Sequence, residues 1–161
     1  MNTNETDNSE VQDILKDLIE IARDGQEGYR LAAEHAHDST LKLTFAERSA
    51  SRGRFVSQLQ QLQTRYGETD VREDGSISGA LHRTWIDIKA AVTRREDQAI
   101  LEEAERGEDA AVEAYRDALL HEPSLPADAL STVENQAAEV KKDHDYIRQL
   151  RDSGKFTGVT P

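Results

Sequence analysis

Apolar residues recur at steps of three and four along four segments of the chain, which is the spacing of one face of an α-helix. In the first segment this stripe runs from Val11 to Ala36 without a break. The pattern predicts four long helices, at residues 9–36, 39–66, 94–120 and 127–152. Each helix would bury one stripe and leave its other faces in water, as the helices of a bundle do.

Local signals at the ends of these segments set the predicted helix boundaries. Two pairs match the capping box and predict helix starts, namely Ser9 with Gln12 and Thr93 with Glu96. Asp38 or Ser39 is predicted to cap the second helix, because short polar side chains accept hydrogen bonds from the first turn. Gly67 is predicted to end that helix, since glycine readily adopts the turn beyond a helix end.

The lengths of the connections predict the topology. Short turns at residues 37–39 and 121–126 make the first and second helices one antiparallel hairpin, and the third and fourth another. The middle connection holds a polar loop at 67–78 and a short helix at 79–92, and it can cross the whole bundle. The predicted fold is therefore an all-α, ferritin-like four-helix bundle, in which the second and third helices run parallel. Residues 1–8 and 153–161 are predicted to be flexible tails around a bundle at 9–152.

Charged residues interrupt the apolar stripes and predict a polar centre. Glu108 lies on the stripe of the third helix, Arg48 and Arg52 on that of the second, and His144 on that of the fourth. A buried charge needs a charged partner, a proton or a metal ion. The first interpretation is a structural ion network of Arg52, Arg48 and Glu108, with Asp24 or Glu139 at the same depth. His144 would then be a core histidine hydrogen-bonded to a tyrosine, Tyr29 or Tyr115.

The second interpretation is a metal site that binds iron or manganese. Carboxylates and imidazole are the ligands of the di-iron bundle proteins, which use Glu-x-x-His pairs on two of their helices. The candidate ligands are Glu108, Glu105, Glu139, Asp24 and His144. The Glu-x-x-His spacing is missing from the middle of the helices, because Lys141 precedes His144 by three residues. The first interpretation therefore predicts no cofactor, and the second predicts one metal centre.

Two further features mark the first and middle segments. Gly25 and Gly28 remove side chains at the first stripe, so a neighbouring helix can approach closely there or a bound species can find space. Trp85 lies on the face of the short helix that also carries Leu81 and Ile88. It is predicted to anchor this helix to the core.

Composition excludes several classes of function. The 161 residues include no cysteine, so disulfides, thiolate metal sites and cysteine nucleophiles are absent. The net charge of −12 repels phosphate backbones and anionic lipids, so nucleic-acid and membrane partners are not expected. The first ten residues lack the pattern of a signal peptide, and a cytoplasmic location is expected.

Several segments resemble a known family. They are DLIEIARDGQEGYRLAAE, FAERSASRGRFVSQL, GALHRTWIDIKAAV, ILEEAERGEDAAVEAYRDAL and DHDYIRQLR. Together, over about residues 10–152, they are similar to a bacterial family of ferritin-like four-helix-bundle proteins of unknown function. The resemblance implies the ferritin-like fold and a setting in stress responses, and it implies no particular activity.

The sequence thus predicts a stress-associated binding or structural protein with a central buried ion network. The alternative is a divergent metal-dependent oxidase or peroxide-handling enzyme that uses the metal interpretation of the centre. A homodimer is the expected assembly, since the crossover helix can offer a spare apolar face.

Overall fold

The computed structural model describes residues 3–67, 84–94, 96–120 and 124–157. The described helices are α1 (Thr3–His35), α2 (Ser39–Arg65), α3 (Ile88–Thr93), α4 (Asp97–Leu120) and α5 (Ala127–Asp152). The predicted loop at 68–78 and the predicted first turn of the short helix at 79–83 lie outside the described residues. No helix in the described ranges has both the length and the apolar composition needed to cross a membrane.

The four long helices pack as two hairpins, α1 with α2 and α4 with α5, and α1 also packs on α4. Asp97, the first residue of α4, accepts the backbone N–H groups of His37 and Asp38 at 2.8 and 2.9 Å. The start of α5 lies beside the end of α2, where Asp128 contacts Arg65. Helices α2 and α4 therefore run parallel, and α1 and α5 run antiparallel to them. The predicted fold of two antiparallel hairpins joined by a crossover with a short helix is confirmed.

The predicted helix ends are confirmed in some places and corrected in others. Asp38 caps α2 by accepting the backbone N–H of Leu41 at 2.9 Å, and Gly67 follows the helix with a φ of 94°. Helix α1 begins at Thr3, so residues 3–8 are helical and the Ser9–Gln12 pair lies inside the helix. The Thr93 hydroxyl donates to the Lys89 carbonyl within α3 at 2.7 Å, so Thr93 closes α3 and does not cap α4.

The hydrophobic core has two halves on either side of a polar layer. One half contains Leu15, Leu18, Phe55, Leu59, Tyr115 and Val133 among its buried residues. The other half contains Tyr29, Phe45, Trp85, Ile100 and Ile147, and Phe156 packs partly against it. The Arg52 guanidinium lies over rings from both halves, 5.0 Å from the Phe55 centroid and 5.8 Å from that of Tyr29. The polar layer therefore separates the two halves at mid-bundle.

Trp85 is buried between two glycines, Gly28 on α1 and Gly107 on α4. A Cβ atom added to either glycine would overlap the indole ring. Gly25 similarly leaves room for the aliphatic part of Arg52, whose Cγ would lie 3.2 Å from an added Cβ. Trp85 is buried in the core as predicted, but it precedes α3, which begins at Ile88. The space beside Gly28 holds its side chain.

Asp128 joins the first turn of α5 to the end of α2. Its carboxylate accepts a hydrogen bond from the Tyr66 hydroxyl and pairs with Arg65. The Tyr66 hydrogen bond, and then that of Arg65, hold the pKa of Asp128 below its usual range. A lowered folded-state pKa means that this stabilisation is complete above the unfolded pKa and is lost as the pH falls through the folded one.

We therefore expect Asp128→Asn to lower the free energy of unfolding at pH 7, and the difference from wild type to shrink below about pH 4. Urea unfolding at pH 7, 5 and 3 measures this difference. Glu134→Gln, which changes an exposed carboxylate on the same helix, is the matched control. A difference that is the same at all three pH values would contradict the assignment of the Asp128 contacts.

Candidate functional site

The centre of the bundle holds a buried ion network around Arg52. One terminal nitrogen of Arg52, Nη2, lies 2.7 Å from Oε1 of Glu108, and the other, Nη1, lies 3.0 Å from Oδ2 of Asp143. The Arg52 and Glu108 residues are both only 2% exposed. Burial lowers the pKa of Arg52, but the charges of Glu108 and Asp143 outweigh it and raise the pKa above its usual value. Arg52 therefore carries a full positive charge at the centre of the core.

Tyr29 adds a hydrogen bond from α1. Its hydroxyl donates to Glu108 Oε1 at 2.5 Å. Burial, and then the negative charge of Glu108, raise the pKa of Tyr29 well above its usual value. The phenol therefore keeps its proton and serves as a donor, and the four long helices all contribute to the network.

Arg48 extends the network towards the surface. Its Nε lies 3.0 Å from Oδ1 of Asp143, and its guanidinium lies 5.2 Å from the Tyr146 ring centroid. The bundle thus has a buried salt-bridge network that contains Arg52, Arg48 and Glu108. The second carboxylate of the network is Asp143, whereas the sequence offered Asp24 or Glu139 for that position. Asp143 lies on the line Gln136, Val140, Asp143, Ile147, whose steps of four, three and four are the sequence signal for it.

The other two central candidates have different neighbours. Asp24 is buried and accepts a hydrogen bond from the Thr84 hydroxyl, so it faces the crossover. Glu139 is only partly buried. Beside Glu108 there is an enclosed cavity of about 10 Å³, lined by Arg52, Trp85 and Tyr115 among others. A space of this size admits at most one water molecule.

A second cluster lies between α4 and α5, nearer the surface. His144 Nε2 is 2.6 Å from Oδ1 of Asp109 and 3.5 Å from Oε1 of Glu105. One ligand atom from each of these three residues lies within 4.8 Å of the others. Glu105 and Asp109 are one helical turn apart, so both carboxylates project from the same face of α4. We call these three residues the α4–α5 triad.

Neighbouring charges hold the triad in place. Asp145 Oδ1 lies 3.1 Å from His144 Nδ1, and Lys141 pairs with the same carboxylate at 2.7 Å. Arg151 pairs with Oε2 of Glu105 at 2.7 Å, and the other oxygen of this carboxylate, Oε1, faces His144. The Asp145 carboxylate at Nδ1 thus orients the His144 ring, and Nε2 faces the carboxylates of Asp109 and Glu105.

The electrostatics of His144 follow from these contacts. Burial lowers the pKa of His144, but the hydrogen bonds with Asp145 and Asp109 and the charge of Glu105 outweigh it and raise the pKa. The predicted hydrogen bond between His144 and a tyrosine is wrong. Tyr29 binds Glu108, and the Tyr115 hydroxyl donates to Gln136 Oε1 at 2.7 Å.

The structure divides the five predicted metal ligands. Glu105 and His144 come together in the triad, whereas Glu108 belongs to the Arg52 network. Asp24 accepts a hydrogen bond from Thr84 and Glu139 is partly buried, and neither is one of the three residues of the triad. Asp109 is the member of the triad that the sequence prediction missed, although its position four residues after Glu105 was a signal for it.

Comparison with known proteins gives a family and no activity. Residues 10–121 match the family model described as a domain of unknown function, DUF2383. No curated protein matches the chain.

Proposed function

Because the chain belongs to the DUF2383 family, whose description names no function, we propose from the site geometry that it is a binding protein for a divalent transition-metal ion. Glu105, Asp109 and His144 would be the protein ligands. The metal would lie between α4 and α5, outside the central ion network. The observation that carries this proposal is the convergence of one imidazole nitrogen and two carboxylate oxygens within 4.8 Å.

The distances in the triad support a ligand role. Oxygen and nitrogen ligands lie about 2.0–2.2 Å from zinc, so neighbouring ligand atoms are roughly 3–3.5 Å apart. The 3.5 Å between His144 Nε2 and Glu105 Oε1 already fits this range, while the 2.6 Å to Asp109 Oδ1 must open by less than about 1 Å. The Asp109 side chain is 57% exposed and can make this adjustment by a small rotation.

The surroundings of His144 also support a ligand role for this residue. A histidine that binds a metal usually donates its other ring N–H to a carboxylate, which fixes the orientation of the ring. Asp145 occupies that position at Nδ1. A metal at Nε2 would take the place of the proton that otherwise bridges His144 and Asp109.

The donor set indicates the class of metal. One imidazole with two carboxylates suits manganese, iron and zinc, whereas magnesium and calcium prefer ligand sets made only of oxygen. The centre of the bundle is a poorer site, because a cation at Glu108 would have to displace the charged Arg52. This argument favours the triad over the central metal site predicted from the sequence.

Two finer predictions remain part of this proposal. A stress-associated role is what the sequence resemblance implies, and a metal-binding bundle is compatible with it. The alternative, a metal-dependent oxidase or peroxide-handling enzyme, would use the same triad, because three protein ligands leave coordination positions open for oxygen or peroxide. The homodimer and the cytoplasmic location stay predictions.

We expect Asp109→Asn to weaken zinc or manganese binding by about tenfold or more, since it removes one ligand and its charge. Isothermal titration of the metal-free protein with Zn²⁺, and with Mn²⁺ in a separate run, measures the affinity. Glu113→Gln is the matched control, because it removes the same charge from an exposed position one turn along α4. Unchanged affinity in Asp109→Asn would contradict the triad as the site.

A second variant distinguishes a metal at the triad from a metal at the bundle centre. Glu108→Gln keeps the triad and alters only the central carboxylate. If Glu108→Gln loses the metal while Asp109→Asn retains it, the metal lies at the bundle centre and the proposal is wrong. Oxygen consumption by the iron-loaded protein, with and without Asp109→Asn, then tests the oxidase alternative.

A further inference from the structure

A groove with an apolar floor runs between the first half of α1 and the second half of α4. Its volume is about 320 Å³. The floor is formed by Ile14, Leu18, Ile21, Ala114 and Ala118, and the rim by Glu10, Asp13, Asp17 and Asp117. The groove is separate from the α4–α5 triad, because it lies on the opposite side of α4, against α1.

The rim carries negative charge from three exposed aspartates. Asp13 and Asp17 are exposed and one turn apart on α1, an arrangement of like charges that destabilises a helix. Asp117 adds a third exposed carboxylate from α4. Among the described residues, no cation pairs with Asp13, Asp17 or Asp117. The groove is therefore complementary to a cationic partner with apolar segments.

The lining of the groove indicates the chemistry of that partner. Apolar side chains form the floor and carboxylates stand at its edge, so the partner needs an apolar segment between positive charges. An extended methylene chain between ammonium groups meets this requirement, because it can lie on an apolar floor with its charged ends in water, as lysine stems do.

We propose that this groove binds a free linear oligoamine, with its methylene segments on the apolar floor and its ammonium groups at the acidic rim. The Cβ atoms of residues one helical turn apart are about 5–6 Å from each other. Two ammonium groups separated by four methylenes are about five bonds apart, or roughly 6 Å in an extended chain. The spacing of Asp13 and Asp17 matches this, and Asp117 takes a third ammonium group from the opposite wall.

Spermidine is the probe for this proposal, and methyl resonances of the full-length, metal-free protein report its position. We expect spermidine to shift the methyl signals of Ile14 and Ile21. Mg²⁺ at the same ionic strength supplies charge without methylenes and should leave these methyl signals in place. The affinity for spermidine should fall as salt is added, since exposed ion pairs are screened.

Matched variants test the two parts of the groove. Asp13→Asn/Asp17→Asn should weaken spermidine binding by about fivefold or more, whereas Glu47→Gln/Glu134→Gln, with the same change in net charge, should change it less than about twofold. Ala114→Leu fills the floor without changing charge and should also weaken binding. Equal losses in the two double variants, or unmoved methyl signals, would overturn the proposal, because binding would then follow only the general acidity of the surface.

Discussion

Glu108→Gln is expected to lower the free energy of unfolding by about 3–5 kcal/mol, because it removes the closest counter-ion of a buried arginine. Arg52 lies 2.7 Å from Glu108 and is 2% exposed, so water cannot replace the lost charge. Asp143 remains on the other side of the guanidinium at 3.0 Å, which places the expected loss near the lower end of this range. Urea unfolding at pH 7, followed by circular dichroism, measures the change.

A double-variant cycle separates the ion pair from its surroundings. Arg52→Met/Glu108→Leu removes both charges and keeps most of the volume, so it should be less destabilised than Arg52→Met alone, which leaves Glu108 buried without its cation. Glu113→Gln on the exposed face of α4 is the control and should change the free energy by less than about 0.5 kcal/mol. A loss below about 1 kcal/mol in Glu108→Gln would mean that Arg52 reaches solvent, which contradicts its buried position.

The pairing of Arg52 with Glu108 could be predicted from the sequence because both residues interrupt otherwise apolar stripes. Their depth followed from the helix lengths and the hairpin topology. Asp143 was not predicted to join them, because the apolar stripe was drawn through its neighbour His144, which lies about 100° away around the helix axis. Asp143 and His144 are both buried, but Asp143 points to α2 and His144 to α4. Both residues fit the steps between Val140 and Ile147, and the sequence prediction chose His144 alone.

The α4–α5 triad also shows what helical periodicity cannot predict. The sequence named Glu105 and His144 as ligands of one metal site, and the structure places them 3.5 Å apart. The same prediction included Glu108, because the rotation of α4 and α5 about their axes is set by packing and not by sequence spacing. Glu105 and Glu108 therefore appeared as one site in the sequence and belong to two clusters in the fold.

Helix starts depended more on tertiary contacts than on local signals. Thr93 and Glu96 match a capping box, yet Thr93 bonds back into α3 and Asp97 opens α4. Asp97 accepts two backbone N–H groups from the turn between α1 and α2. These contacts join the two hairpins, and no local pattern in the sequence could show them. The cap at Asp38 needed only its own helix, and Asp38 was one of the two residues predicted for it.

Trp85→Ala is expected to lower the free energy of unfolding by about 3–5 kcal/mol, since it empties a large buried site. Trp85 is 2% exposed, and its ring lies 4.9 Å from that of Tyr29 in an edge-to-face arrangement. The indole also joins the crossover to α1 and α4. Thermal or urea unfolding measures the loss. A change below about 1 kcal/mol would contradict the position of the ring in the core.

Gly28, one of the two glycines beside Trp85, allows a more specific test of the position of the indole. Gly28→Ala should gain about 1 kcal/mol in helix propensity but lose about 3 kcal/mol through overlap with the indole, a net loss of about 2 kcal/mol. In the Trp85→Ala background the overlap disappears, so Gly28→Ala should become stabilising there. Gly53→Ala is the control, because its new Cβ meets only the flexible end of Gln26, at 2.9 Å. If Gly28→Ala has the same effect in both backgrounds, the missing side chain at Gly28 is not what makes room for the indole. The crossover is then held to the bundle by other contacts.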